Sequence, residues 1–116
     1  MRKIRESAEN YLETILVLQQ RNGSVRSIDI AAELEFSKPS VSVAMKNLRE
    51  KGCITVDGDG IISLTPEGRR IAEGVYERHI LFTQWLISLG VDPEIAAEDA
   101  CRIEHVISEE SFRAIQ

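Results

Sequence analysis

The order of the periodic segments between residues 27 and 64 restricts the fold of this chain more than any other feature. Apolar residues recur at helical spacing up to about residue 36 and again from residue 38 to Gly52, with about three residues between the two predicted helices. That spacing is typical of a helix-turn-helix. Ser27 and Ser37 are suitable N-caps, and Pro39 is tolerated in the first turn of the second helix. The residues predicted to face inward are Ile28, Ala31, Ala32 and Leu34, then Val41, Ala44, Met45 and Leu48.

The period changes from helical to extended after Gly52. Residues 53–56 and 61–64 are rich in β-branched side chains and flank the turn sequence Asp57-Gly58-Asp59-Gly60, which predicts a β-hairpin. A helix-turn-helix followed directly by a small hairpin is a winged helix. We therefore expect a mainly α fold with a small β-hairpin wing.

Further helices are predicted on both sides of this unit. Helical spacing predicts one over residues 7–20, and Thr65 with Pro66 opens a long one over residues 66–88. A break at residues 90–93 precedes a helix over 94–106, and Ser108 starts a short final helix. We divide the chain into a winged helix-turn-helix domain for DNA binding, residues 1–65, and a helical domain, residues 66–116.

The charge of the chain is unevenly distributed. The net charge is −5, from 14 Lys and Arg against 19 Asp and Glu. Residues 1–78 are neutral, because their acidic and basic residues are equal in number, so the whole acidic excess lies in residues 79–116. A neutral front part with clustered Lys and Arg can bind DNA while the acidic rear faces elsewhere.

Other sequence features bear on location and redox state. No apolar run approaches the roughly 20 residues that a membrane span needs. The N-terminus lacks the apolar core of a secretory signal, so we expect a cytoplasmic protein without a membrane partner. Two cysteines, Cys53 and Cys101, do not make a disulfide framework, and each is expected to be a free thiol or a ligand.

The second helix of the helix-turn-helix is the predicted recognition helix. Such a helix enters the major groove and presents its N-terminal, solvent-facing residues to base edges. The candidates for DNA contact are Ser37, Lys38, Pro39, Ser40, Ser42, Val43 and Lys46, followed by Asn47, with Arg26 and Ser27 placed to reach a phosphate. The alternative is a solvated helix whose serines serve only as caps.

A thiol, a carboxylate and an imidazole occur together in the stretch "DACRIEHVIS". Cys101, Glu104 and His105 are spaced i, i+3, i+4, so they project from one helix face. Soft, hard and borderline donors together suit a first-row transition ion. One turn rarely closes a coordination shell, and further donors are available from His79 and from Asn10 and Glu13. The alternative is a solvated Glu–His pair beside a cysteine that packs as a small apolar residue.

The chain resembles the diphtheria toxin repressor family of metal-dependent regulators, including its manganese transport regulator branch. The matching stretches cover nearly all residues: "ENYLETI", "SIDIAAEL", "SKPSVSVAMKNL", "ISLTPEGRRIA", "RHILFTQWL" and "ACRIEHVIS". The resemblance implies a homodimeric repressor that controls metal-ion homeostasis by binding Fe²⁺ or Mn²⁺ and then a palindromic double-stranded operator, with residues 66–116 as the metal-binding and dimerisation domain. Family ligand positions carry over to Asn10, Glu13, His79, Cys101, Glu104 and His105.

Some positions depart from the pattern of that family. Iron-type relatives have methionine and manganese-type relatives aspartate where this chain has Asn10; Glu13 resembles the manganese branch and Cys101 the iron branch. The resemblance also implies a second iron-type site with His79, a glutamate where this chain has Thr83 and a histidine near Ala97. Because two of those three residues are lost, we expect one site or an altered pair that recruits Glu98 or Asp99.

Two further expectations complete the sequence-based hypothesis. Phe82, Trp85, Leu86 and Ile103 are candidates for an apolar dimer core, the alternative being burial inside the protomer. Zn²⁺, Co²⁺ or Ni²⁺ could replace the physiological ion in vitro.

Competing functions are a metal-independent winged-helix regulator and a metallohydrolase. The second is disfavoured because the chain lacks His-Glu-x-x-His spacing and a phosphate loop, so we expect neither an enzyme nor a small-molecule substrate.

Overall fold

The fold is a winged helix followed by three further helices. The computed structural model describes the backbone of residues 2–116 and the side chains of residues 7–116. The predicted mainly α architecture with a hairpin wing is confirmed. In chain order the elements are α1 (Arg2–Asn22), α2 (Ser27–Leu34), α3 (Lys38–Glu50), β1 (Ile54–Val56), β2 (Ile62–Leu64), α4 (Pro66–Ser88), α5 (Pro93–Val106) and α6 (Glu109–Ile115).

Helix α2 differs from its prediction in its cap and its buried face. Arg26, rather than Ser27, is the N-cap, because its backbone is extended and its N–H donates to the Asp29 carboxylate at 2.9 Å. Ile30 and Ala31 are buried, whereas Ile28 is 55% exposed. Ala32 is exposed as well, so the prediction was wrong for both it and Ile28. Ile28 lies about 200° around the helix from Ile30, and α1 and α3 cover the Ile30 side.

Helix α3 agrees with its prediction. Ser37 is the N-cap, and its hydroxyl accepts the Ser40 N–H at 3.3 Å. Val41, Met45 and Leu48 are buried and Ala44 is half-buried, so the opposite face is left to solvent.

The wing is an antiparallel hairpin that is anchored on both sides. Ile54 pairs with Leu64, and Val56 with Ile62. The side chains of Ile54 and Ile62 are buried in the main core, and the Ile62 N–H donates to the Val25 carbonyl at 2.8 Å. The wing therefore has a fixed position relative to the start of α2.

Thr65 and Gly68 join the wing to α4. The Thr65 hydroxyl donates to the Gly52 carbonyl at 2.6 Å and accepts the Gly68 N–H at 3.1 Å. The Thr65 N–H donates to the Cys53 carbonyl at 3.0 Å. Gly68 lies so close to Cys53 that a Cβ at this position would overlap the Cys53 carbonyl oxygen. The "TPEG" sequence thus serves both as a cap and as a close backbone contact.

Two apolar clusters stabilise the chain. The larger one joins α1, α2, α3, the hairpin and the first turns of α4. The smaller one consists of Phe82, Ala100 and Phe112, with Ile103 packed against it. Phe82 is buried within the protomer, so its assignment to a dimer core was wrong, whereas Trp85 is 48% exposed.

No helix in the described part of the chain is long and apolar enough to cross a membrane. Within the same residues Cys53 is a buried free thiol and Cys101 an exposed one.

The contact between α4 and the wing predicts opposite effects of alanine at two glycines. Gly68→Ala places a Cβ against backbone, and we expect it to lower the free energy of unfolding by about 1–3 kcal/mol, the usual cost of overpacking. Gly74→Ala is the matched control, because it lies in α4 with no atom near its added Cβ. It should raise stability by up to about 1 kcal/mol. Urea unfolding measures both, and equal stabilities would contradict the close contact.

Candidate metal centre

Helices α1, α4 and α5 pack against one another, and each places potential metal ligands at their junction. Gly90, with φ of 97°, allows the chain to turn back between α4 and α5. Arg78 on α4 donates to the backbone carbonyls of Glu104 at 3.2 Å and Ile107 at 3.4 Å. These bonds fix the C-terminal turn of α5, from which Glu104 and His105 project.

The first group of potential ligands lies on α5 alone. The donor atoms of Cys101, Glu104 and His105 lie within 4.8 Å of one another. Glu104 is fully buried and His105 is 4% exposed, whereas Cys101 is exposed. The spacing in "CRIEH" therefore brings a thiol, a carboxylate and an imidazole to one face.

The second group joins three helices. The donor atoms of Glu13 on α1, His79 on α4 and Glu104 on α5 also lie within 4.8 Å of one another. His79 Nδ1 is 3.0 Å from Glu104 Oε2. Glu104 belongs to both groups, so the two are contiguous.

Asn10 is the sixth sequence-predicted ligand and stays a prediction, because both groups consist only of His, Cys, Asp and Glu side chains. It lies on α1 three residues before Glu13, and its backbone carbonyl accepts the Thr14 hydroxyl at 2.8 Å. Its side chain makes no hydrogen bond to any residue whose side chain is described. The other five predicted ligands, Glu13, His79, Cys101, Glu104 and His105, are brought together.

The expected altered second site has a different composition. His79 meets Glu13 and Glu104, whereas Glu98 is exposed and Asp99 pairs with Arg102 at 3.4 Å. The Thr83 hydroxyl is buried without a hydrogen-bond partner among the residues that the structure describes. The donors beside His79 thus come from α1 and the end of α5, not from the start of α5.

Two buried polar atoms test whether these residues fit a metal ion. Glu104 Oε1 and His105 Nε2 lie 3.4 Å apart, and neither has a hydrogen-bond partner among the described residues. Burying an unsatisfied polar atom costs about 1–3 kcal/mol. A divalent cation would satisfy a carboxylate oxygen and an imidazole nitrogen at once, so the residues fit.

Glu9 is a residue of this site that the sequence prediction missed. Its Oε1 lies 3.1 Å from His105 Nδ1, and its side chain is 14% exposed. The sequence feature that could have indicated Glu9 is its position one helical turn before Glu13, on the same face of α1. The sequence alone did not indicate which nitrogen of His105 it would meet.

The pKa values reflect this crowding of charge. Burial, together with the charge and hydrogen bond of Glu104, raises the pKa of Glu13 to about 8. Burial lowers the pKa of His105, but the neighbouring Cys101 and Glu9 side chains and the charges of Glu104 and Glu9 outweigh it and raise the value to about 10. The hydrogen bond with Glu104 raises the pKa of His79, against the effect of burial. The site thus attracts positive charge.

The sequence-predicted DNA-contacting residues lie on an exposed surface of α3. Val43 is 61% exposed. Arg26 is exposed, and its Nε donates to the Asp59 carbonyl at the tip of the wing, at 3.2 Å, whereas Ser27 is half-buried. The remaining predicted residues are all exposed, namely Ser37, Lys38, Pro39, Ser40, Ser42, Lys46 and Asn47.

Comparison with family models gives matches over most of the chain. Residues 3–60 match the N-terminal DNA-binding domain of iron-dependent repressors, and residues 65–116 match their metal-binding and dimerisation domain. The transcriptional regulator MntR of Escherichia coli is 38% identical over 112 residues, which are 97% of this chain and 72% of that protein.

Other relatives are longer. The diphtheria toxin repressor of Corynebacterium diphtheriae is 33% identical over 116 residues, 99% of this chain but 51% of that protein. The solved structure of a manganese-dependent transcriptional repressor in complex with manganese superposes with a TM-score of 0.84 at 27% identity, over 93% of this chain and 50% of that one. These matches confirm the resemblance drawn from the motifs, and the chain belongs to the iron-dependent repressor family.

Proposed function

We propose that this chain is a transcriptional repressor that binds double-stranded operator DNA as a homodimer when it is loaded with divalent manganese or iron. The observation that carries the proposal is the sharing of buried Glu104 by two donor groups that together join α1, α4 and α5. We place its action in the cytoplasm and assign it no catalytic role.

Helix α1 connects the ligand groups to the recognition helix. Glu13 lies in the second ligand group, while Leu12 and Ile15 of the same helix are buried in the core that contains Val41 and Met45 of α3. A change in the position of α1 therefore moves α3. In a dimer, the spacing of two recognition helices must match successive major grooves, about 34–36 Å apart.

Glu13 and Glu104 provide the sensitivity to a cation. Their carboxylates face the same buried space from different helices, and their mutual repulsion is one reason for the raised pKa of Glu13. A bound divalent ion would supply positive charge and fixed coordination bonds there. A coupling of roughly 1.4–2.7 kcal/mol suffices for a 10- to 100-fold change in DNA affinity.

The donor chemistry supports Fe²⁺ or Mn²⁺ as the ion. Carboxylates suit Mn²⁺, imidazole suits iron, and a thiolate adds preference for softer ions. Zn²⁺, Co²⁺ and Ni²⁺ are expected to bind in vitro as well, since affinity for such donors rises toward the later metals. A metal-independent regulator is less favoured, because residues 65–116 match the metal-binding and dimerisation domain of iron-dependent repressors.

Exposed apolar side chains on the helical domain, residues 66–116, support the homodimer. Trp85 is half exposed, whereas Phe82, which was predicted for the same dimer core, is buried within the protomer. Contiguous exposed apolar surface is typical of an interface. The large apolar residues exposed on and between α4 and α5 are Ile80, Trp85, Ile87, Leu89, Ile95 and Val106. Ile80 and Trp85 line one surface cavity together.

The proposed function first predicts that DNA binding depends on the metal ion. Duplex DNA selected by the Mn²⁺-loaded chain from a randomised pool should bind 10- to 100-fold more weakly after chelation, because about 1.4–2.7 kcal/mol of coupling is lost. Joint substitution Glu104→Ala and His105→Ala should give the chelated affinity even with Mn²⁺ present. Fluorescence anisotropy measures both.

The control for that double variant is Glu73→Ala, which removes an exposed glutamate of α4 with a surface partner, Arg69. It should retain the response to Mn²⁺. Equal DNA affinity of the parent chain with Mn²⁺ and with chelator would contradict the proposed function.

The exposed face of α3 gives a second prediction. Lys46→Ala should weaken binding to all duplex sequences about equally and reduce the slope of log affinity against log salt by about 1, because one phosphate contact is lost. Arg102→Ala removes an exposed cation on α5 and should leave that slope unchanged. A lowered slope for Arg102→Ala alone would place the DNA surface elsewhere.

A third prediction concerns the pH dependence of the metal-free chain. Folding raises the pKa of Glu13 from 4.5 to about 8 and that of His105 from 6.5 to about 10. Both groups hold protons more tightly when folded, so unfolding releases protons and stability falls as pH rises through these windows.

Urea unfolding of metal-free protein at several pH values measures this effect. Glu13→Gln mimics the protonated side chain and should flatten the fall between pH 4.5 and about 8. Metal affinity should rise over the same range, since ligands bind metal in their deprotonated forms. A parent chain that gains stability with rising pH would show that these shifts are absent.

A further inference from the structure

Glu9 links α1 to α5 outside both ligand groups. Its Oε1 is 3.1 Å from Nδ1 of His105, a side chain that is almost fully buried. Glu9 itself is largely covered and belongs to neither set of donor atoms that lie within 4.8 Å of one another. Its contact with the site is therefore made through the imidazole of His105.

The two nitrogens of His105 have different surroundings. Nδ1 faces Glu9, whereas Nε2 lies 3.4 Å from Glu104 Oε1 and has no hydrogen-bond partner among the described residues. A neutral imidazole carries one proton, and a carboxylate can only accept it. A histidine binds metal in its neutral form. Once His105 has lost one proton, the Glu9 contact keeps the remaining hydrogen on Nδ1 and leaves the lone pair on Nε2.

We propose that Glu9 is a positioning residue that orients His105 by accepting its Nδ1–H and thereby presents the Nε2 lone pair to a divalent metal ion beside Glu104. The inference rests on the proposed metal-binding function. Histidine ligands commonly donate their second nitrogen to a carboxylate, and loss of that partner typically weakens metal binding 10- to 100-fold.

This role also joins the site to the DNA-binding half of the chain. Glu9 and Glu13 lie one turn apart on α1. The same helix therefore supplies the Glu13 carboxylate to the second ligand group and the Glu9 carboxylate that contacts Nδ1 of His105. Rotation of α1 would disturb both together. The Glu9–His105 contact thus joins α1 to α5, in addition to the approach of Glu13 to Glu104.

Co²⁺ titration of the full chain tests the role of Glu9. Competition with a chelator gives the Co²⁺ affinity, and the visible and thiolate charge-transfer absorption bands report which residues are ligands. Glu9→Ala should weaken Co²⁺ binding 10- to 100-fold. Glu9→Gln retains an oxygen acceptor for Nδ1–H and should recover part of that loss. Both variants should keep the band positions of the parent, because no ligand is removed.

Reference variants separate this inference from the function on which it rests. His105→Ala should shift the visible bands, since it removes a ligand, and Glu73→Ala should match the parent chain in both affinity and spectrum. Parent-like affinity in Glu9→Ala, or shifted bands in Glu9→Gln, would overturn the positioning role while the metal site stands. No Co²⁺ binding by the parent, or parent-like binding by His105→Ala, would overturn the proposed site itself.

Discussion

The buried carboxylate of Glu104 is the constraint on which the arrangement of the helices depends. A glutamate is almost never fully buried without partners, because removing its charge from water is costly. Here His79 approaches from α4, Glu13 from α1 and His105 from the next position on α5. The three helices therefore meet at one point, where His79 and His105 are partners of the Glu104 carboxylate and Glu13 adds a second carboxylate. Metal loading and helix packing thus depend on the same atoms.

The connection from this point to the DNA surface is short because α1 takes part in both. One face of α1 supplies Glu9 and Glu13, and buried apolar residues such as Leu12 and Ile15 join it to the core of the winged helix. The wing is in turn held to α4 by Thr65 and by the close approach of Gly68 to Cys53. The winged helix therefore contacts the helices that follow it on two sides. In the proposed function, a change at the ligand groups would reach α3 through packed elements rather than through a flexible linker.

Local signals in the sequence were sufficient to predict the elements, and five of the proposed ligands lie together in the structure. Caps at Ser37, Thr65 and Ser108 and the glycine-rich turn of the wing define where helices and strands start, since these signals act within a few residues. What failed depends on contacts between distant residues. The buried face of α2 is chosen by α1 and α3, which is why Ile28 lies outside and Ile30 inside. Phe82 is buried by Phe112 of α6, and Glu9 meets His105 across 96 positions of sequence, which no periodicity encodes.

The two ligand groups differ in the property that distinguishes manganese from iron. The group of Glu13, His79 and Glu104 contains only carboxylates and an imidazole, which suit Mn²⁺ and Fe²⁺ alike. The group on α5 adds the thiol of Cys101, which is exposed while its companions are buried. A soft donor at the solvent edge biases the site toward later metals, and it does so without altering the buried carboxylates that hold the helices together. The proposed function therefore assigns metal selectivity to Cys101, and coupling to DNA to Glu13, Glu104 and the helix that carries Glu9.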